Sequence, residues 1–252
     1  MKQKLYDLTQ YYGAGIPPWP AFPDPIITSL WRIPHDGQHS LKVETAMHIG
    51  THIDAPLHTY SKGWDLSEIP LDVLFGEGIV VDLRDEVKEW DIITPKMIER
   101  NGDVKEGDIL ILNLGWEKYS WKSKTHDEET FFCKHPGPEL ECCKWVLKKK
   151  LRWFGVDAPG LEHPFQTKIR LWRPDLVAEY EKRTGKPIEK TLPMKNFLCC
   201  HHLMAQANMP GVENVGGEIN AVTGRRMKIG IFPWRWIRGE GCISRIVAFE
   251  GF

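Results

Sequence analysis

His48-Ile49-Gly50-Thr51-His52-Ile53-Asp54-Ala55-Pro56-Leu57-His58 brings three histidines and an aspartate together within eleven residues. The ionisable side chains all fall on even positions. The odd positions (Ile49, Thr51, Ile53, Ala55, Leu57) are largely apolar. An extended chain alternates faces with period two, so this pattern sets His48, His52, Asp54 and His58 on one face and anchors the other in a core. A straight strand rises about 3.3 Å per residue, which would hold His48 and His52 roughly 13 Å apart at Cα, too far for easy sharing of one ion. The segment must bend, and Gly50 is where a bend costs least. Pro56 ends regular pairing. A helix would also bring His48 and His52 together, but Gly50, the β-branched neighbours and Pro56 oppose it. Nitrogen and oxygen donors at this density suit Zn²⁺ or Mn²⁺.

Working outward, Leu5–Leu8 and Leu41–His48 read as strands, with a Gly/Pro-rich irregular arm over Tyr11–Pro25 around Trp19. The short apolar runs Ile79–Leu83, Asp108–Leu114 and Arg152–Val156 read as buried strands. Thr94–Arg100 has a Thr-Pro helix start. Gly137–Leu151 shows helical spacing and ends in lysines, which suits a helix C-terminus. Arg173–Arg183 and Met194–Gln206 read as further helices. Val212–Val215 and Lys228–Pro233 read as strands, and Ile237–Phe249 as a hairpin turning at Arg238-Gly239-Glu240-Gly241. Short strands mixed with helices give an α/β or mixed α+β class, and no linker divides residues 1–252, so one domain is expected.

Of the remaining groups, His201 and His202 follow Cys199 and Cys200, but neighbours on a helix point apart, so this is no zinc-finger spacing. Glu213 sits in a short strand-like stretch, where a carboxylate is either exposed at an edge or bound to something. His35, His39, His126, His135 and His163 lie in polar or Pro-flanked loops and carry no expected role.

The composition narrows the partners. Thirty-three basic and 34 acidic residues leave a net charge of −1. That balance favours neither a nucleic-acid groove nor an anionic membrane surface. No apolar run reaches the roughly 20 residues of a membrane helix, and Met1-Lys2-Gln3-Lys4 opens no apolar signal core. Six cysteines, four of them in adjacent pairs (Cys142–Cys143 and Cys199–Cys200), read as reduced thiols in a cytoplasmic protein. Eleven tryptophans suit core and subunit-interface packing more than an aromatic pocket.

The eleven-residue stretch resembles the signature of the cyclase family of metal-dependent hydrolases, which includes bacterial kynurenine formamidase and isatin hydrolase. The resemblance extends over most of the chain: Tyr6-Asp7-Leu8-Thr9 with Pro18-Trp19-Pro20, Gly107-Asp108 through Gly115-Trp116, Phe154-Gly155-Val156-Asp157-Ala158-Pro159, and Ile243–Ala248. It implies a swivelling β/β/α fold with a central mixed sheet or barrel-like core flanked by helices. It also implies one or two Zn²⁺ ions, with Mn²⁺ as the alternative. His48, His52 and Asp54 would hold the first ion, and Asp54, His201 and Glu213 a second. His58 matches the proton-transfer residue, and Trp19 an aromatic that packs on substrate. Relatives are commonly dimers or larger, which implies a homo-oligomer acting on a small molecule. Asp157-Ala158-Pro159-Gly160 differs from the commoner Asp-Thr-Pro-Ser, and residues 162–196 are longer and more charged than in compact formamidases.

The resulting expectation is hydrolysis of an amide or cyclic amide. A metal-dependent lactone hydrolase, a cyclase or lyase using the same cation, and a non-catalytic metal- or ligand-binding protein are the alternatives. A binding protein would have no need of His58.

Overall fold

The computed structural model describes residues 3–252. Its thirteen strands are β1 (Lys4–Asp7), β2 (Ile26–Trp31), β3 (Ser40–Glu44), β4 (His52–Asp54), β5 (Phe75–Asp82), β6 (Ile92–Ile93), β7 (Ile109–Asn113), β8 (Gly137–Pro138), β9 (Trp153–Val156), β10 (Gly211–Glu213), β11 (Arg226–Phe232), β12 (Gly241–Ile243) and β13 (Arg245–Glu250). Nine form one mixed sheet in the order β1-β13-β11-β5-β7-β9-β10-β4-β12. The steps β5–β7–β9–β10 are parallel and the others antiparallel.

The parallel strands carry unbroken apolar runs because both of their faces are covered. In β7, Leu110 and Leu112 join one core with Val81, Phe154, Phe165, Cys143 and Met204 on the helical side. Ile109 and Ile111 join a second core. That second core draws side chains from both ends of the sheet order, among them Tyr6, Ile53, Trp153, Ile229, Ile246 and Cys242. A flat sheet could not bring its two edges into one cluster. The sheet is therefore rolled into an open half-barrel, and at the seam β12 and β13 are separated by Ser244 alone, whose amide donates to Thr51 O at 3.0 Å.

Helices flank this core. Pro95–Asn101 follows Thr94 as expected, although the Thr94 side chain makes no capping bond. Pro174–Thr184 stops at Gly185 with φ 66°, a left-handed C-terminus that suits glycine.

Four elements depart from the sequence reading. Residues 237–249 are not a hairpin, since β12 pairs with β4 while β13 pairs with β1 and β11. The strand placed at Leu41–His48 stops at Glu44, and its partner is β2, whose apolar residues lay outside every assigned element. The helix expected over Gly137–Leu151 is shorter, Leu140–Lys148, because Gly137 and Pro138 pair with β6. The helix expected over Met194–Gln206 breaks at Leu198, φ 51°, into a short turn and the helix Cys199–Gln206.

The cysteines also need correction. Cys143 and Cys200 are joined by a disulfide that ties the helix Leu140–Lys148 to the helix Cys199–Gln206. Adjacent cysteines cannot easily bridge each other, but each can reach across to another element. Cys133, Cys142, Cys199 and Cys242 remain unpaired and buried. Among the tryptophans, Trp90, Trp116 and Trp153 are buried, while Trp31, Trp172, Trp234 and Trp236 are exposed.

Candidate metal centre

β4 lies between β10 and β12 and supplies the middle of the site. His52 stands opposite Glu213, and Asp54 opposite Gly211 on one side and Gly241 on the other. Alternation turns His52 and Asp54 to one face and sends Ile53 into the rolled-sheet core. The even-position pattern extends no further as a strand. His48 arrives through a bend at Gly50, φ 64°, a conformation glycine adopts without a Cβ clash. The bend is pinned from β10's end, where Asn214 Nδ2 donates to Gly50 O at 3.0 Å and Thr51 Oγ1 donates to Asn214 O. His58 comes back through the single turn Pro56–His58, and its ring lies 4.1 Å from that of His48, centre to centre.

The donors converge. His48 Nδ1 is 2.7 Å and His52 Nε2 3.3 Å from Asp54 Oδ1. On the other side of the same carboxylate, His201 Nε2 is 3.2 Å from Asp54 Oδ2 and 3.4 Å from Glu213 Oε1. Two triads, His48/His52/Asp54 and Asp54/His201/Glu213, thus share Asp54, and each is tight enough to hold one ion. His201 is brought in by the left-handed start of its helix at Leu198.

Sequence reasoning missed two acids here. Glu162, fully buried, accepts from His201 N at 2.8 Å and faces His201 Nδ1 at 2.6 Å. It thereby fixes the ring with Nε2 turned inward. Glu240 contacts His48 Nε2 and lies 3.2 Å from His58 Nδ1. Glu240 stood in what the sequence presents as turn chemistry, and Glu162 in a segment noted only for length and charge. The other histidines have structural places or none. His163 is buried with Nε2 facing Trp90 O at 2.9 Å, His135 is buried, and His35, His39 and His126 are exposed.

The electrostatics call for positive charge. Asp54, Glu162 and Glu213 are all buried. Burial alone would raise the Asp54 carboxyl, but His48, His52 and His201 hold it well below the carboxylate range. Burial opposes charge on His48, yet Asp54 and Glu240 outweigh it and lift the imidazole to about 10. Burial likewise opposes charge on His201, and Glu162 with Asp54 overcomes it. Buried carboxylates persist when paired with cations, and protons on these rings are one way to supply them. A divalent ion is another, and the position of His52 suits it. His52 donates through Nδ1 to Gly50 O at 2.8 Å, which leaves Nε2 buried without a hydrogen-bond partner. A lone pair aimed between two carboxylates is repelled by both unless a cation lies among them. The residues fit a divalent metal with N/O preference.

A cavity of about 230 Å³ opens onto this cluster, walled by Trp19, Phe22 and Trp172, with Lys168 its one lysine or arginine among the described residues. Trp19 packs edge-on against Phe132 with ring centres 6.1 Å apart. A larger groove of about 910 Å³, lined by Tyr11, Glu117, Trp121 and Arg245, contains none of the clustered residues.

The family model Cyclase, described as "Putative cyclase", matches residues 6–163, well over half of the chain. The chain belongs to the Cyclase family. Among its relatives, a kynurenine formamidase of Erythrobacter litoralis is 26% identical over 162 residues, covering 64% of this chain and 68% of that one. A kynurenine formamidase of Geobacillus thermodenitrificans is 24% identical over 223 residues, 88% of this chain and 97% of its own. Isatin hydrolase A from Ralstonia solanacearum has the same fold, with a TM-score of 0.74 at 20% identity, covering 98% of this chain and 92% of that one. The rolled mixed sheet with flanking helices is thus the architecture of this Cyclase-family chain, as its motif implied.

Proposed function

We propose that this protein is a metal-dependent hydrolase that cleaves a non-peptide amide C–N bond of an aryl or cyclic amide. The observation that carries the reading is the pair of triads sharing Asp54, with His52 Nε2 buried and unpartnered between carboxylates. The kinship with kynurenine formamidases supports the bond type. His48, His52 and Asp54 would hold one ion and Asp54, His201 and Glu213 a second, Zn²⁺ by donor preference with Mn²⁺ as the alternative. Such an ion, when bound, polarises a carbonyl and makes water acidic near neutral pH.

The chain's own groups account for the rest. His58 Nδ1 faces Glu240, which leaves Nε2 free toward the cavity. There it takes a proton from the attacking water and returns it to the leaving nitrogen, serving as base and then acid. Trp19 walls the cavity with Phe22 and offers a flat face to an aryl group.

We also propose a homo-oligomer. The β2–β3 hairpin exposes Ile26, Leu30, Trp31, Leu41 and Val43, a surface that suits a second copy of the chain. Among the described residues, no helix is long and apolar enough to cross a membrane. The thiol argument for a cytoplasmic location now rests on four cysteines, and the Cys143–Cys200 bond weighs against it.

The test is turnover of N-formylkynurenine and of isatin by protein loaded with Zn²⁺ or Mn²⁺, with a chelator control and metal content measured in parallel. Chelator-sensitive acid release supports the hydrolase. Retained metal with no water consumed on amides or lactones would redirect the reading to a lyase or a binding protein. His58→Ala should keep its metal and lose turnover by roughly 10²–10⁴-fold. Undiminished turnover would remove His58 from the reaction.

A further inference from the structure

Glu240 serves two rings at once. Its Oε2 contacts Nε2 of His48 and lies 3.2 Å from Nδ1 of His58. His48 turns its other nitrogen, Nδ1, to Asp54 at 2.7 Å. The backbone holds the carboxylate in register, because Ala55 N donates to Glu240 O at 2.9 Å and Gly241 pairs with Asp54. The next residue makes room for the ring: a Cβ on Gly241 would lie 2.5 Å from His48 Cε1 and 2.7 Å from Nε2. The start of β12 is therefore shaped around His48, with a bare backbone beneath the ring and a carboxylate at its outer nitrogen.

We infer that Glu240 is a positioning residue that couples the metal centre to the proton-transfer histidine. A carboxylate accepts and never donates, so both rings must present N–H to it. Accepting from His48 Nε2 fixes the tautomer in which Nδ1 is the free donor toward the ion, and raises that nitrogen's basicity. Accepting from His58 Nδ1 leaves His58 Nε2 as the base. One side chain thus sets the tautomer of a ligand and of the base together, and keeps their rings in contact. This rests on the hydrolase reading above, since without a bound ion and a proton transfer there is nothing to couple.

The experiment compares wild type with Glu240→Gln and Glu240→Asp, measuring metal affinity and stoichiometry separately from kcat and KM. In Glu240→Gln the amide cannot accept equally well from both rings. Metal affinity should fall about 10–100-fold, the scale of losses on removing an outer partner of a ligating histidine. Stoichiometry at saturating metal should be unchanged, kcat should remain reduced at full occupancy, and KM should stay within about twofold. Glu240→Asp keeps the acceptor and should recover part of both losses. Wild-type affinity and kcat in Glu240→Gln would overturn the inference. So would the loss of a whole metal equivalent at saturation, which would make Glu240 a ligand. An unfolded Glu240→Gln leaves Glu240→Asp to decide, since an acid with the same charge that recovers neither affinity nor kcat would also overturn it. A wild type that neither binds metal nor hydrolyses amides would instead refute the underlying reading.

Discussion

At the scale of single residues, the site works through atoms that nothing local satisfies. His52 Nε2 is one such atom. Gly241 is the converse case, a residue whose missing side chain is the functional feature. Gly241→Ala should push the His48 ring out of line and weaken metal binding while leaving the fold intact, which circular dichroism and metal titration would separate. Unchanged metal affinity would mean that the ring has slack the structure does not display. His135 and His163 give a second residue-scale prediction. Burial depresses them to about 4 and about 3. Both stay neutral in the folded chain but protonate near 6.5 once unfolded, so the unfolded state binds more protons between those values. Their stabilisation is complete above about pH 6.5 and is lost as pH falls toward 4, at no more than about 1.4 kcal/mol per pH unit for each ring. Melting of metal-free protein from pH 7 to 4.5 should show a steep fall in Tm, and His163→Gln should flatten it. An unchanged slope in that variant would count against the assignment.

Among secondary-structure elements, legibility followed how local the signal was. The runs at Ile79–Leu83 and Asp108–Leu114 are strands because both faces are buried, and an unbroken apolar run states that directly. Arg173–Arg183 carried its own start and stop in Pro174 and Gly185. The eleven-residue cluster was legible because ionisable groups alternating with apolar ones are rare unless both faces have a purpose. Partner choice was not legible. Residues 237–249 have hairpin composition, yet β12 and β13 join opposite edges of the rolled sheet, and alternation carries no information about which neighbour a strand meets. Glu240 was overlooked for the same reason, its turn-like setting hiding a carboxylate delivered beside β4. The cysteines erred likewise, because a pairing across 57 residues leaves no local trace. Unfolding the protein without reductant should expose four titratable thiols, and reductant should raise the number to six. Six thiols without reductant would remove the cross-link. If the cross-link holds, opening it should lower stability by about 2–4 kcal/mol and loosen the helix that carries His201.

For the molecule as a whole, the exposed hairpin sets the expectation. Trp31 is 49% exposed and Leu30 57%, and a hairpin with such side chains gains by meeting a copy of itself. Sedimentation should find a dimer or larger assembly. Trp31→Ser combined with Leu30→Ser should shift it toward monomer without loss of helix or sheet signal. A wild type that sediments as a monomer at micromolar concentration would leave the hairpin free for another occupant.

The seam of the half-barrel bears on how the chain comes into being. Every proposed ligand, from His48 to Glu213, is synthesised before β11, β12 and β13. The strand that seats His48 and the strand that pairs with β1 follow all of these ligands, and β1 has no partner until residues 245–250 have been made. Pairings of such long sequence separation form slowly, so the nascent chain presents a complete set of metal donors with no vessel to hold them. A cation captured during that interval would be gripped by an unclosed chain. Residues 226–250 then decide whether the early ligands become a catalyst or a misfolded chelate.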